Sequence, residues 1–90
     1  MPKFLIERDF AGVGKLSSNQ LQTMSKKARE IVADPAGGVQ WLYSFVTDDK
    51  TYCVYIAPDE EVLRERSDLA GFPTTRVSRV SSVIDGTTAE

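Results

Sequence analysis

The ninety-residue chain contains no histidine and one cysteine. The first absence removes the commonest metal ligand and the commonest general base at neutral pH. It also excludes Ser-His and Cys-His nucleophile pairs. A single cysteine, Cys53, excludes a disulfide within the chain and fits a reducing cytoplasm. No apolar run approaches the ~18 residues that cross a bilayer, so no membrane partner is expected. The opening "MPKFLIERDF" does not read as a signal peptide, because Glu7 and Arg8 break a short apolar stretch. Basic residues are not in excess: 11 stand against 13 acidic ones, for a net charge of -2. Phosphate backbones call for a concentrated basic patch, so nucleic acid is not an expected partner. Lys26, Lys27 and Arg29 read instead as the solvated face of a helix. The "GVGK" at 12–15 is too short for a phosphate loop and lacks its Ser/Thr, so it reads as a turn.

What is present describes one soluble globular domain over residues 1–90, with 41% hydrophobic and 27% charged residues. A chain of this size buries roughly 60–65% of its unfolded surface, so its core is thin and a partner would help it. "KFLIERDF" alternates, with Phe4, Ile6 and Phe10 at even positions and Lys3, Glu7 and Asp9 at odd ones, which predicts a half-buried strand. Ser17 or Ser18 is a good helix cap. Leu21, Met24, Ala28, Ile31 and Val32 then recur at helical spacing. Pro35 and the pair Gly37-Gly38 end that helix.

"VQWLYSFVT" and "TYCVYIA" predict two strands joined by a tight turn. A three-residue loop, "DDK", sets Phe45 opposite Cys53, Tyr43 opposite Tyr55 and Trp41 opposite Ala57. It is the preferred register because it gathers the aromatics on one face. A two-residue loop would instead pair Ser44 with Cys53. A second helix follows Asp59, with Val62, Leu63, Leu69 and Ala70 on its apolar stripe and Arg66 on the same stripe. Asp59, Glu60, Glu61 and Glu65 lack calcium-loop spacing and read as caps and solvated charges. Gly71 closes the helix, and "TRVSRVSSVIDG" predicts a last strand carrying Val77, Val80, Val83 and Ile84. "TTAE" is left as a tail.

The order is βαββαβ. It predicts an α+β, ferredoxin-like fold: an antiparallel four-stranded sheet with two helices on one face. The other face then needs cover, and the surplus of aromatic side chains predicts a homodimer. Cys53, at a strand centre, is expected to be a small buried residue; a metal-ligand role and a redox-sensing role are the alternatives.

The stretches "FLIERDFAGVGKLS", "VQWLYSFVTDDKTYCVYIAPDEEVLRE", "GFPTTRV" and "VIDGTTAE" together resemble a small bacterial nickel-binding family, a domain of unknown function. The resemblance runs nearly end to end. It implies a ferredoxin-like fold, a dimer, and nickel or another divalent metal as cofactor, with no reaction attached. The family pattern reads W-x-H-S-[YF]-V where this chain has "WLYSF", so Tyr43 falls on a histidine position. It reads R-E-H where this chain has "RER", so Arg66 falls on a second. Cys53 is the site-type residue that matches. A phenol keeps its proton at neutral pH and a guanidinium has no lone pair to give. Nickel favours imidazole and thiolate, so a family-type site is expected to be weak or missing here. The other readings are a dimeric α+β-barrel binder or enzyme, using Tyr43, Tyr55 and Arg66 as polar contacts in an aromatic pocket, and a purely structural or interaction dimer.

Overall fold

The computed structural model describes residues 2–33 and 35–90. Six main elements run β1 (Lys3–Asp9), α1 (Ser18–Ala28), β2 (Gln40–Val46), β3 (Lys50–Ile56), α2 (Glu60–Leu69) and β4 (Arg76–Arg79). The strands form one sheet in the order β2-β3-β1-β4, every neighbouring pair antiparallel. This is the expected α+β, ferredoxin-like arrangement. Among the described residues, no helix is long and apolar enough to cross a membrane.

The period-2 reading of β1 holds. Phe4 and Ile6 are buried on the helix-covered face, and Arg8 continues the same row. On β3 that face carries Thr51, Cys53 and Tyr55, which pair with Arg8, Ile6 and Phe4 respectively. The core joins these residues to Ile31, Leu63 and Ala70 from the helical layer. Full burial of Leu63 or Ile31 contributes on the order of 1.5–3 kcal/mol each.

Local capping follows the sequence. Ser17 accepts from the Gln20 N–H at 3.2 Å and Gln20 reaches back to the Ser17 N–H at 2.9 Å, a complete capping box. Asp59 accepts from the Val62 N–H at 2.9 Å, as its cap position predicts. Glu60 ties to Arg64 at 2.8 Å one turn on, so Asp59 and Glu60 of the acidic cluster serve in capping and surface pairing.

Four expectations are corrected. The hairpin adopts the two-residue alternative: Ser44 pairs with Cys53, Phe45 with Tyr52 and Val46 with Thr51. The turn is clamped from outside, since Phe10 N–H donates to the Asp49 carbonyl, Gly12 N–H to the Asp49 carboxylate and Gly14 N–H to the Asp48 carbonyl. Those three bonds fix Asp48 and Asp49 as the turn, which the hairpin sequence alone does not reveal. A bulge between Trp41 and Tyr43 then restores Trp41 to the inner face, opposite Tyr55, while Tyr43 and Phe45 point outward. Second, Leu69 is 80% exposed, and the buried stripe of α2 runs through Leu63 and Ser67 to Ala70 instead. Third, β4 ends at Arg79, so Val83 and Ile84 lie outside the sheet and are exposed. The chain's last turn is not a bare tail: Asp85 caps a short 3-10 turn at Gly86–Ala89.

Candidate functional site

A cavity of about 260 Å³ lies between α1 and the inner face of the sheet. Its floor comes from the three adjacent strands: Ser44 and Val46 of β2, Thr51, Cys53 and Tyr55 of β3, and Arg8 of β1. Its roof is α1, through Leu21, Met24, Ser25 and Ala28. Phe10, Ile31, Trp41 and Phe72 complete the walls. The void exists because α1 buries none of its residues fully; its apolar stripe roofs the space rather than filling it.

The polar groups of the floor are held in place. The Trp41 indole N–H donates to the Ser44 hydroxyl at 2.9 Å, which the bulge makes possible by turning both side chains inward. The Cys53 thiol lies 3.7 Å from the Thr51 hydroxyl, as donor to it. Tyr55 is 1% exposed; burial pushes its phenol above the usual range, Cys53 adds to the rise, and the nearby Arg8 guanidinium opposes it.

Arg8 is 3% exposed. Its Nη1 donates to the Pro73 carbonyl at 2.9 Å and to the Thr74 hydroxyl at 3.4 Å, and its Nη2 donates to the Ser67 hydroxyl at 3.0 Å. Its Cζ stands 5.5 Å from the Phe72 ring centroid. Every one of these partners is neutral. Among the described residues no carboxylate forms an ion pair with Arg8, and it is the one charged residue lining the cavity. Period-2 alternation could have found it: position 8 shares the parity of Phe4 and Ile6, which places a cation on the buried face of a strand. Ser44 is the residue that the three-residue register hides, since that register turns it away from Cys53.

The three positions singled out by the family pattern are dispersed. Cys53 is buried and lines the cavity. Tyr43 is 52% exposed on the opposite face of the sheet, paired with Val54 and stacked edge-on with Phe45 at 5.4 Å. Arg66 lies against Gly37 and donates to the Ile31 carbonyl at 3.3 Å, tying α2 to the segment after α1. The hairpin register therefore separates Tyr43 from Cys53, which the three-residue loop would have brought to one face. Among the described residues, no group of three or more His, Cys, Asp and Glu side chains could hold a metal ion. The residues present do not fit a nickel ion. Of the polar contacts expected for an aromatic pocket, Tyr55 is in place while Tyr43 and Arg66 lie elsewhere. With neither carboxylate nor imidazole among the described lining residues, the cavity can hold a small, mostly apolar molecule and offer it a cation and hydroxyl groups.

The fold is similar to that of the crystal structure of SCO4226 from Streptomyces coelicolor A3(2). The TM-score is 0.74 at 15% sequence identity, over 91% of this chain and 99% of that one. No curated protein matches the chain. Residues 4–80 match the model of the family described as nickel responsive protein SCO4226-like, and the chain belongs to that family.

Proposed function

We propose that this chain is a small dimeric member of the nickel-responsive family that binds a small molecule in the cavity beneath α1. In it, nickel binding through positions 43, 53 and 66 is weakened or lost. The carrying observation is the cavity itself: it keeps Cys53 in its floor, while Tyr43 and Arg66 lie outside it. The family description supports a link to metal, and the donor set argues against tight binding. The outward row of Tyr43 and Phe45 supports a dimer packed through the open sheet face. A free thiol and the absence of a histidine-based catalyst suit a cytoplasmic binding module rather than an enzyme.

Two titrations test this reading. Calorimetry with nickel should give no binding tighter than ~0.1 mM, a free energy of about -5.5 kcal/mol. Small apolar probes should quench Trp41, the chain's one tryptophan, which lines the cavity. Micromolar nickel binding would return the protein to the metal-binding reading. Absence of any probe binding would leave the interaction dimer.

A further inference from the structure

We infer that the cavity takes a small organic carboxylate, its acid group turned to Arg8 and its apolar body lying between Met24, Ala28 and Trp41. The inference rests on the cavity being a binding site and goes further by assigning the ligand's charge and shape.

The argument starts from an imbalance. A guanidinium is always charged and carries five N–H donors in a fixed fork. Burying such a group away from a counter-charge is costly, and buried charges are ordinarily paired. Arg8 is 3% exposed and is held by the Pro73 carbonyl, the Thr74 and Ser67 hydroxyls and the Phe72 ring. Those groups orient it and solvate it without neutralising it. Among the described residues, the space it borders contains no acidic side chain. A carboxylate arriving there would meet a desolvated, pre-oriented cation, the setting in which charge-assisted hydrogen bonds are strongest.

Shape sets the rest of the ligand. At about 260 Å³ the cavity is just below the ~300–1,000 Å³ usual for small-ligand sites, enough for a compact acid and too small for a nucleotide. Its walls beyond Arg8 are dominated by apolar side chains from α1 and the walling aromatics. Inorganic anions, which bring charge without an apolar body, would forgo that part of the site. The hydroxyls of Ser44 and Thr51 and the phenol of Tyr55 stand along the floor as further donors.

The test compares each acid with its own amide on the native protein: phenylacetate with phenylacetamide, benzoate with benzamide, and isovalerate with isovaleramide. Trp41 fluorescence and calorimetry give the affinities. At least one acid should bind tenfold or more tightly than its amide, a gap of about 1.4 kcal/mol. Inorganic phosphate should bind at least tenfold more weakly than that acid. Arg8→Gln should close the gap between acid and amide. Ala28→Phe, which fills the roof and leaves the Arg8 side chain in place, should abolish binding of both while leaving the circular dichroism spectrum unchanged. If every acid and amide bind equally, the anion assignment is overturned and the cavity reading stands. If phosphate binds as tightly as the best acid, the apolar assignment is overturned. If no acid or amide binds at millimolar concentration, the cavity reading falls with the inference. Should Arg8→Gln fail to fold, the acid–amide comparison on the native chain decides alone.

Discussion

The guanidinium of Arg8 on β1 donates to the hydroxyl of Ser67 on α2 at 3.0 Å, and both residues are buried. The bond joins the sheet to the second helix across the core. It also fixes the orientation of Arg8, the one charged residue among the described ones that lines the cavity. Removing the hydroxyl leaves a buried, charged donor without its acceptor. Ser67→Ala should therefore destabilise the fold by about 1–3 kcal/mol. Urea unfolding followed by circular dichroism measures this, and a change below about 0.5 kcal/mol would show that the bond is not holding the guanidinium.

Alkaline pH should weaken the protein through Tyr55. Burial raises its phenol above the ordinary value of ~10, so the folded chain keeps a proton that the unfolded chain releases. Below about pH 10 both states are protonated and the group is silent. Above it, stability falls as pH rises toward the folded value. Lys50, raised mainly by its hydrogen bond to Glu7, acts in the same direction from an exposed site, where ion pairs count for little. Thermal melts of the native chain and of Tyr55→Phe between pH 8 and 11 separate the two. The mutant's alkaline loss should be shallower, and identical slopes would remove Tyr55 as the cause.

Gly14 sits against the hairpin turn. A Cβ there would stand 2.8 Å from both the Asp48 Cα and the Thr47 carbonyl oxygen, and backbone atoms cannot swing aside. Gly14→Ala should cost about 1–3 kcal/mol by overpacking. Gly86→Ala, where nothing lies within 4 Å, should be near neutral and serves as the control. Equal melting temperatures for the two variants would mean that the loop can shift away from the turn.

Phe45 is 60% exposed on the sheet face opposite the helices, in edge-on contact with Tyr43. If that face packs against a second copy, Phe45→Glu should place a charge in the interface and convert a dimer to a monomer. Light scattering at micromolar concentration should report twice the 10.0 kDa chain mass for the native protein and one chain mass for the variant. A native monomer would end the dimer proposal outright.

The parts of the molecule that were legible in the sequence are those written locally. Alternation placed Phe4 and Ile6 inward, Asp59 and Ser17 announced their caps, and Cys53 proved as buried as a strand centre suggests. The hairpin register was not local. It depends on Phe10, Gly12 and Gly14, some thirty-five residues upstream, holding Asp48 and Asp49. Grouping aromatics on one face favoured the other register, but the bulge sends Trp41 inward and Tyr43 and Phe45 outward. With that slip the site also changed: Ser44 entered the cavity and Tyr43 left it. Leu69 misled because helical spacing gives a stripe about a turn wide, and the packing of α2 uses its Ser67 side, where Arg8 needs an acceptor. Val83 and Ile84 suit a strand by propensity, but they lie beyond the last residue that pairs with β1.

The shallow seating of α1 has a consequence for access. A helix that lies over a void has few contacts to lose by lifting, whereas α2, with Leu63 and Ser67 fully buried, is anchored. The amides of α1 should exchange with solvent faster than those of α2, and lifting of α1 should widen the way into the cavity. A molecule lodged beneath would then act as a wedge in reverse: it supplies the contacts that the helix lacks, and so holds α1 down.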